Sequence, residues 1–273
     1  MQTKTIDFSK YSSFKIGPKV DVALLSSQTP TLKEHYLIGA CNNTLVGPNP
    51  PKLMMLSKEY DFIQLLDDKI VIGAATPSGK IASFCKRHNI ANFEFLSHLP
   101  GKLGGLLYMN AGLKEYEIFN KLIELKTSSG IKQKEEITYG YRFTNITEPI
   151  LEASFALEYG FDAQKLQMFE NMRKNQPSTP SAGSCFKNPQ GDYAGRLIEA
   201  VGLKGLKRGG MCFSNAHANF LVNSGGGVFE DAIWLIQEAQ SRVYSEFGIW
   251  LECEIIVLDE AYMSSKSPLL KKV

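Results

Sequence analysis

Apolar residues recur at helical spacing between residues 228 and 247, and this is the strongest pattern in the chain. Residues three and four apart share one face of a helix, so the pattern predicts an amphipathic helix with a buried apolar face. Glu230 and Asp231 lie in the first turn, where carboxylates favour a helix start, and Gly248 follows the last apolar position. The apolar face comprises Val228, Ala232, Leu235, Ile236, Ala239, Val243 and Phe247.

Two shorter segments carry the same spacing. Residues 78–88 begin at Ser78, which we expect to be the N-cap, and end in basic residues that suit a last turn. Residues 192–200 begin at Asp192, a second expected N-cap, and Gly202 stands just past their end. We therefore predict helices over 78–88 and 192–200.

Short runs rich in β-branched residues, bounded by glycine, proline or asparagine, predict strands. Most of them lie before residue 160, whereas the longer helical patterns come later. Strands early in a chain and helices late are typical of an α+β protein with two lobes. The predicted strands are 20–25, 36–39, 69–74, 121–127, 150–159 and 250–258.

Length and charge narrow the class of protein. The chain has 273 residues, enough for one large domain or two smaller ones. Its 30 Lys+Arg nearly balance its 28 Asp+Glu, which excludes a polyanion binder held by charge alone. We therefore expect no nucleic acid partner.

Cysteine spacing and hydropathy indicate a reducing compartment. The five cysteines are widely spread without a C-x-x-C pair, so we expect free thiols, no metal site and no disulfide framework. The chain has no run of 18 apolar residues, and its first 25 residues lack a signal-peptide pattern. We expect a soluble cytoplasmic protein with no membrane partner.

Two segments hold more small residues than an ordinary loop needs. Residues 39–43 (GACNN) follow a predicted strand, and such a turn can direct several N–H groups at a pyrophosphate, although a plain turn remains the alternative. Residues 99–112 (LPGKLGGLLYMNAG) contain four glycines. This density indicates either close approach of a flat or phosphorylated ligand or tight packing of two elements.

Two further segments carry candidate acids. Residues 181–189 (SAGSCFKNP) place Ser184 three positions before Lys187, and a nearby cation favours proton donation by a hydroxyl. An ST-turn closed by its own hydroxyls is the alternative. Glu252 and Glu254 would share one face of the predicted strand 250–258. An apolar strand raises the pKa of an unpaired carboxyl and so makes a general acid, unless both residues are solvated at an edge.

Two single residues are also candidates. Arg142 stands among aromatic residues and suits bidentate binding of a carboxylate, with a cation–π or surface contact as the alternative. His217 could bind a ligand or cap a turn.

Seven motifs in one order resemble the UDP-N-acetylenolpyruvoylglucosamine reductase (MurB) family of bacterial cell-wall synthesis, and the resemblance covers residues 14–258. Each motif alone is weak, but the ordered set is specific, and the lack of a long insertion resembles the compact subclass. In one departure, the G-G-G-S-N turn of the family is GACNN at residues 39–43. The motifs are 12–17 (SSFKIG), 99–112, 140–142 (GYR), 181–189, 194–205 (AGRLIEAVGLKG), 217–220 (HANF) and 251–255 (LECEI).

The resemblance implies a vanillyl-alcohol-oxidase/PCMH-type lobe over residues 1–145 that holds FAD non-covalently. An α+β substrate-binding lobe over 146–258 and a tail over 259–273 would follow, and we expect a monomer. The implied FAD-binding residues are Gly39, Ala40, Cys41, Asn42, Asn43, Pro100, Gly101, Gly104, Gly105, Asn110, Ala111 and Gly112. The implied substrate-binding residues are Tyr141, Lys174, Lys187, Asn188 and His217.

The activity that the resemblance implies is that of a UDP-N-acetylmuramate dehydrogenase. NADPH would reduce FAD and leave before UDP-N-acetylglucosamine enolpyruvate binds. The flavin N5 would then give hydride to the β-carbon of the enolpyruvyl group, and a proton would go to the α-carbon. The expected catalytic residues are Arg142, which would bind the carboxylate, Ser184, which would deliver the proton, and Glu254, which would assist when protonated.

Two other functions fit parts of the pattern. A sugar or alcohol oxidase on the same flavin lobe would often tether FAD through His or Cys. It would lack the segment 181–186, here called the serine loop, followed by Lys-Asn-Pro. A flavin- or UDP-sugar-binding protein without turnover is disfavoured because the three expected catalytic positions hold the expected residue types.

Overall fold

Strands make up most of the regular structure up to residue 156 in the computed structural model of the chain, which describes residues 2–29 and 34–266. The strands are β1 (Thr3–Asp7), β2 (Lys19–Leu25), β3 (Tyr36–Leu37), β4 (Thr44–Val46), β5 (Leu53–Leu56), β6 (Ile63–Leu65), β7 (Lys69–Gly73), β8 (Gly112–Leu113), β9 (Tyr116–Glu117), β10 (Leu122–Thr127), β11 (Gly130–Gln133), β12 (Tyr139–Gly140), β13 (Phe143–Thr144), β14 (Ile150–Ala156), β15 (Ser181–Ser184), β16 (Lys207–Arg208), β17 (Met211–Phe213), β18 (Phe220–Asn223) and β19 (Ile256–Leu258). The α-helices are α1 (Phe8–Tyr11), α2 (Ser78–Arg87), α3 (Leu103–Tyr108), α4 (Ala163–Arg173), α5 (Ala194–Ala200), α6 (Phe229–Phe247) and α7 (Glu260–Lys266), with short 3-10 helices at Lys58–Tyr60, Glu94–His98 and Lys134–Glu136.

The chain forms two compact units that are interleaved in sequence. The described residues of the first unit lie within Met1–Thr3, Ala23–Ala40 and Leu53–Lys174. Those of the second lie within Lys4–Val22, Cys41–Lys52 and Asn175–Val273. These bounds differ from those of the predicted lobes 1–145 and 146–258. The assignment of FAD to the first lobe and of the substrate to the second stays a prediction.

An antiparallel five-stranded sheet forms the centre of the first unit, in the order β11-β10-β14-β7-β6. Its core side chains include Ile70, Ile72 and Phe155, all with no exposed surface. Ile81 from α2 and Leu107 from α3 belong to the same core, so both helices are held by burial of their apolar faces. In this unit the end of β2, from residue 23, pairs in parallel with β5, which also pairs with β3.

A four-stranded antiparallel sheet in the order β15-β18-β17-β16 lies in the second unit together with the long helix α6. The predicted helix is confirmed over Phe229–Phe247, with Val228 as the N-cap and Gly248 as a left-handed C-cap at φ +67°. Gly248 takes this conformation without the Cβ clash that other residues meet. Val228 and Phe247 were predicted to lie on the buried face but are exposed, because they stand at the two ends of the helix. In the same unit, β4 pairs in parallel with β19, near the other end of the sequence.

The structure corrects several local predictions. Pro77 and Tyr193, not Ser78 and Asp192, precede α2 and α5 as N-caps. The strand predicted over 250–258 is regular only over Ile256–Leu258, because the segment before it makes a single bridge from Cys253 to Phe186. The predicted strand 36–39 is limited to Tyr36–Leu37. The predicted tail begins with α7, and its residues 267–273 lie outside the described residues.

Helix α3 was not predicted, because Gly104 and Gly105 disfavour a helix and the segment was interpreted as a place of close ligand approach or tight packing. Leu103 and Leu107 are fully buried and Leu106 nearly so, and this burial outweighs the low helix propensity of glycine. The N–H groups of Leu103 and Gly104 donate to the carbonyls of Thr76 and Ala74 at 3.0 and 2.9 Å, so the start of the helix is hydrogen-bonded within the chain.

Candidate functional site

Ser184 ends β15 in the second unit, directly after a backbone irregularity. Gly183 has φ +77°, and the register of β15 against β18 shifts between Ser181 and Ser184. A left-handed residue inside a strand bends the chain at that point and re-aims the side chain that follows. Ser184 is half-buried and its main chain is opposite Phe220. Residues 181–184 are therefore an irregular strand end, and not the ST-turn closed by its own hydroxyls that was the alternative.

Glu254 lies beside this loop. Its N–H donates to the carbonyl of Cys185 at 2.9 Å, one position after Ser184. The Asn43 side-chain amide donates to the carbonyl of Glu254 at 2.9 Å. The fold of the second unit therefore brings together Ser184, Glu254 and the end of the predicted pyrophosphate turn. Glu254 does not lie in a regular strand, so the prediction that it shares a strand face with Glu252 is wrong.

Lys187 forms an ion pair that the sequence did not indicate. Its Nζ lies 2.6 Å from Oε1 of Glu252, and its N–H donates to the Glu252 carbonyl at 2.9 Å. The lysine side chain is 22% exposed, whereas the glutamate side chain is 71% exposed, so solvent weakens the pair. The next residue, Asn188, accepts a hydrogen bond at its Oδ1 from the N–H of Ala194, at the start of α5.

His217 is half-buried and lies just before β18, the strand that pairs with β15. Its Nδ1 accepts a hydrogen bond from the N–H of Asn219 at 3.2 Å. Burial lowers the pKa of His217, with a smaller contribution from the charge of Lys204. An imidazole that accepts at Nδ1 and is neutral carries its proton on Nε2. His217 therefore caps a turn, as one of the two interpretations held, and keeps Nε2 as a donor for a ligand.

The stability of the protein should depend on pH through His217. Its folded pKa is lower than the ordinary value of 6.5, so the unfolded chain takes up the proton first as the pH falls. The stability contributed above pH 6.5 is then lost on acidification. We expect His217→Gln to lose less stability below pH 6.5 than the wild type, measured as the difference in melting temperature across a pH series. A difference that stays constant with pH would contradict this assignment.

Arg142 belongs to the first unit and lies in a two-residue turn between β12 and β13. It has φ +54°, a conformation that L-residues other than Asn and Asp seldom adopt and that often marks a functional position. Its Nη2 donates to the carbonyl of Gly112 at 2.9 Å, and its guanidinium carbon lies 5.1 Å from the centre of the Tyr141 ring. The arginine thus contacts both an aromatic neighbour, as one interpretation held, and the glycine-rich segment.

Asn110 holds this turn in place. It has no exposed surface, and its Nδ2 donates to the carbonyl of Gly140 at 3.1 Å and to Glu117 at 2.8 Å. Thr144, on the other side of the turn, donates through Oγ1 to the carbonyl of Tyr108 at 2.6 Å. Asn110, which was predicted to contact FAD, therefore also holds the turn that carries Arg142. Lys174, also in the first unit, is an exposed residue that caps the end of α4.

The glycines predicted to contact FAD divide into two groups. A Cβ on Gly112 would collide with the Tyr116 carbonyl, and one on Gly104 would lie 3.2 Å from the Cβ of Ala74, so packing explains both. A Cβ on Gly39 or Gly105 would meet no described atom within 4 Å, and neither needs a positive φ. Open space beside a glycine that the chain itself does not require fits close approach of a ligand.

The altered turn at 39–43 keeps a glycine-like backbone despite its sequence. Cys41 has φ +51°, in the left-handed region, and its carbonyl accepts a hydrogen bond from the N–H of Ser13 at 3.2 Å. A side chain in this conformation costs roughly 1–2 kcal/mol. A left-handed residue in a short turn can direct successive N–H groups to one side, which fits binding of an anion such as a pyrophosphate. We conclude that the residues present fit a flavin dinucleotide.

Gly105→Ala should separate the packing and ligand explanations. Alanine in an open helical position stabilises the chain by roughly 0.5–1 kcal/mol. We expect the ligand-free protein to melt at a higher temperature while FAD binds more weakly, measured by flavin retained after gel filtration. Gly79→Ala, at an open position in α2, is the matched control and should leave flavin retention unchanged. Equal retention in both variants would count against a flavin contact at Gly105.

Two properties of the described residues bear on the class of protein. Across residues 2–29 and 34–266, no helix is both long and apolar enough to cross a membrane. In the same part of the chain, no three His, Cys, Asp or Glu side chains are grouped as metal ligands would be.

Two residues that support the site escaped the sequence prediction. Glu252 was considered only as a possible acid, and its pairing with Lys187 has no local signal. Asn219 lies within the HANF motif but was not singled out, although it contacts the serine loop through main chain and side chain. A buried asparagine between apolar residues is the one feature that points to it.

Comparison with known proteins identifies the family. Residues 175–258 match the model of the family described as "UDP-N-acetylenolpyruvoylglucosamine reductase, C-terminal domain". A protein of that name from Campylobacter jejuni (strain RM1221) is 46% identical over 93% of this chain and 99% of its own length. Another of that name, from Helicobacter hepaticus, is 47% identical over 94% of this chain and 100% of its own length.

A solved structure carries the same fold. The UDP-N-acetylenolpyruvylglucosamine reductase (MurB) of Thermus caldophilus superposes with a TM-score of 0.81 at 25% identity, covering 94% of this chain and 99% of that chain. This likeness confirms the predicted α+β fold, a PCMH-type lobe followed by an α+β substrate-binding lobe. With relatives this similar over nearly its whole length, the chain belongs to the UDP-N-acetylenolpyruvoylglucosamine reductase family.

Proposed function

We propose that this chain reduces UDP-N-acetylglucosamine enolpyruvate to UDP-N-acetylmuramate, a step in peptidoglycan precursor synthesis, with NADPH as co-substrate. The observation that carries the proposal is the pairing of Glu254 with the residue after Ser184, in a chain similar to named reductases over more than nine-tenths of its length. The same similarity supports a cytoplasmic enzyme that works as a monomer, and both remain predictions.

FAD is the cofactor that these residues would hold. Gly39 and Gly105 offer open backbone, and Ala40, Cys41, Asn42 and Asn43 form the turn beside the first of them. When bound, the flavin accepts electrons from NADPH and supplies the hydride for the double bond. The remaining proposed contacts are Pro100, Gly101, Gly104, Asn110, Ala111 and Gly112.

Arg142 would bind the carboxylate of the enolpyruvyl group. Hydride addition at the β-carbon moves the electron pair of the double bond toward the α-carbon and this carboxylate. A guanidinium stabilises the charge that develops there, and its fork suits the two carboxylate oxygens. A protonated Glu254 would assist, whereas an ionised one would repel the developing charge. Glu254 is therefore proposed to act in its protonated form.

Ser184 would complete the reaction by giving its hydroxyl proton to the α-carbon. One hydride and one proton then add across the double bond, and the proton returns to the serine from solvent. Lys187 is paired with Glu252, so its charge would stabilise an alkoxide on Ser184 less than an unpaired lysine would. This pairing makes water the simpler route for returning the proton.

Polar side chains would hold the UDP-sugar. In the second unit, Lys187 offers a cation, Asn188 its amide Nδ2, and the neutral His217 its Nε2–H. In the first, Tyr141 and Lys174 are exposed residues that we propose as further contacts.

Anaerobic spectroscopy of the purified protein tests the proposal. We expect a visible flavin absorption band that NADPH bleaches and that UDP-N-acetylglucosamine enolpyruvate restores. Rapid return of the colour with oxygen alone, and none with the enolpyruvyl sugar, would favour an oxidase instead. A protein that retains flavin but is not bleached by NADPH would favour binding without turnover.

Glu252→Gln should strengthen substrate binding if Lys187 contacts a phosphate. The exposed pair is worth roughly 0.2–1 kcal/mol, so the variant should fold normally and bind the UDP-sugar about 1.5–5-fold more tightly. Calorimetric titration with UDP-N-acetylglucosamine measures this change. Glu238→Gln, which breaks the exposed pair with Arg242 on α6, is the control and should have no effect. Weaker binding by Glu252→Gln would mean that the glutamate orients Lys187 usefully.

A further inference from the structure

Asn219 binds the backbone of the serine loop through both ends of its side-chain amide. Its Oδ1 accepts from the N–H of Phe186 at 3.0 Å, and its Nδ2 donates to the carbonyl of the same residue at 2.8 Å. An amide that meets the donor and the acceptor of one residue fixes both its position and its orientation. Asn219 is 2% exposed, so water does not compete for these bonds.

The main chain of Asn219 adds a third bond to the same loop. Its carbonyl accepts from the N–H of Cys185 at 2.7 Å. On its other side, the carbonyl of Cys185 accepts from the N–H of Glu254 at 2.9 Å. The two residues after Ser184 are therefore held between Asn219 and Glu254.

The same asparagine orients the histidine of the site. Its N–H donates to Nδ1 of His217 at 3.2 Å, which leaves Nε2 as the protonated nitrogen of the neutral ring. One residue thus carries bonds to the serine loop and to His217 at once.

We propose that Asn219 is a positioning residue that holds Ser184 in place to deliver its proton. The inference rests on the proposed function, because it assigns a role to Ser184 in that reaction. Ser184 follows the left-handed Gly183 and is the last residue of β15 that pairs with β18. The chain after Ser184 is therefore held by the hydrogen bonds at Cys185 and Phe186, and not by strand pairing. Asn219 touches no reacting atom. Its contribution is the fixed geometry, and a misplacement of about 1 Å costs about 100-fold in rate.

The chain offers a matched control in Asn223, the last residue of β18, four positions after Asn219. It is 8% exposed, its Nδ2 donates to the carbonyl of Phe14 at 2.9 Å, and its Oδ1 accepts from Gly225 and Gly227 at 3.0 Å. Asn223→Ala removes a comparable buried amide from the strand that follows Asn219, without touching the serine loop. Both alanine variants should therefore lose similar stability.

Two measurements test the proposal on the flavin-loaded protein. In anaerobic stopped-flow, Asn219→Ala should be reduced by NADPH at the wild-type rate but reoxidised by the enolpyruvyl sugar about 100-fold more slowly, with a larger solvent deuterium isotope effect. Hydrogen exchange should speed up by about 3–10-fold at the N–H of Phe186, which loses its side-chain acceptor, the factor expected for one lost hydrogen bond. The N–H groups of Cys185 and Glu254 keep their main-chain acceptors and should also exchange faster, because the loop that they hold opens more often. Asn223→Ala should change neither. Rates are expressed per bound flavin so that only folded molecules count, and Asn219→Ser serves where the alanine variant does not fold.

The outcomes separate the claims. Unchanged exchange at these N–H groups, or faster exchange with reoxidation at the wild-type rate, would overturn the positioning role. Equal slowing by Asn219→Ala and Asn223→Ala would reduce it to general stability and overturn it as well. A wild-type flavin that the enolpyruvyl sugar does not reoxidise would refute the proposed function, and the exchange data would still show whether Asn219 fixes the loop.

Discussion

Ser184→Ala is expected to leave reduction of the flavin by NADPH at the wild-type rate and to slow its reoxidation by the enolpyruvyl substrate by about 10²–10⁴-fold, the usual contribution of a positioned general acid. The hydroxyl is the group that would protonate the α-carbon, whereas electron transfer from NADPH needs no proton from it. Stopped-flow measurement of the two half-reactions separates these steps.

Ser181→Ala is the matched control for this variant. Both serines lie in β15, and Ser181 pairs with Val222 before the backbone irregularity at Gly183. We expect both half-reactions of Ser181→Ala to match the wild type. Loss of flavin reduction in Ser184→Ala would remove the proton-donor assignment and indicate a role in cofactor or NADPH binding.

Arg142→Ala should also slow reoxidation, by about 10²–10³-fold, since removing one electrostatic stabiliser of a developing charge costs this much. The reoxidation rate of Arg142→Lys should fall between those of Arg142→Ala and the wild type, because lysine keeps the charge but loses the planar fork. The left-handed backbone at this position strains alanine and lysine as it does arginine, so the substitutions test the side chain. Single-turnover reoxidation rates measure the effect.

Arg208→Ala controls for loss of an arginine that contacts an aromatic ring. Its guanidinium carbon lies 4.5 Å from the centre of the Trp234 ring, and its Nε lies 3.4 Å from Asp231. We expect normal reoxidation from this variant. If Arg142→Ala also reoxidised normally, the carboxylate would have to be bound by another residue, and the cation–π alternative would account for Arg142.

The elements that the sequence predicted well are those whose signals are local. The apolar face of α6 repeats over five turns, and Gly248 stops the helix because its left-handed backbone needs no Cβ. The N-caps of α2 and α5 were each misplaced by one residue, since Ser78 and Asp192 favour N-caps but Pro77 and Tyr193 take that position.

The elements that the sequence missed depend on contacts far away in the chain. Helix α3 forms because Leu103, Leu106 and Leu107 are buried, which no propensity scale for its glycines includes. The irregular backbone at Glu254 follows from bonds to Asn43 and Cys185, whose positions no local pattern encodes.

The candidate site was predicted from residue types and motif order, and not from geometry. Ser184, Glu254, Lys187 and His217 all lie in the second unit, as the motifs suggested. Two residues bonded to the site, Asn219 and Glu252, were missed because a hydrogen bond or ion pair between distant segments leaves no periodic pattern in the sequence. The glycines show the same limit, since only the fold separates Gly112, fixed by packing, from Gly105, open to a ligand.

During biosynthesis, β4 is made long before β19, the strand with which it pairs in parallel. Asn43, just before β4, and its partner Glu254 are 211 positions apart, so a ribosome adding roughly 5–20 residues per second makes the first roughly 10–40 s before the second. During this interval Leu45 and Val46, fully buried in the finished protein, have no strand to pair with. The nascent chain therefore carries an unpaired apolar strand until residues 256–258 have been made, and slow codons before position 256 would prolong its exposure to aggregation and to chaperones.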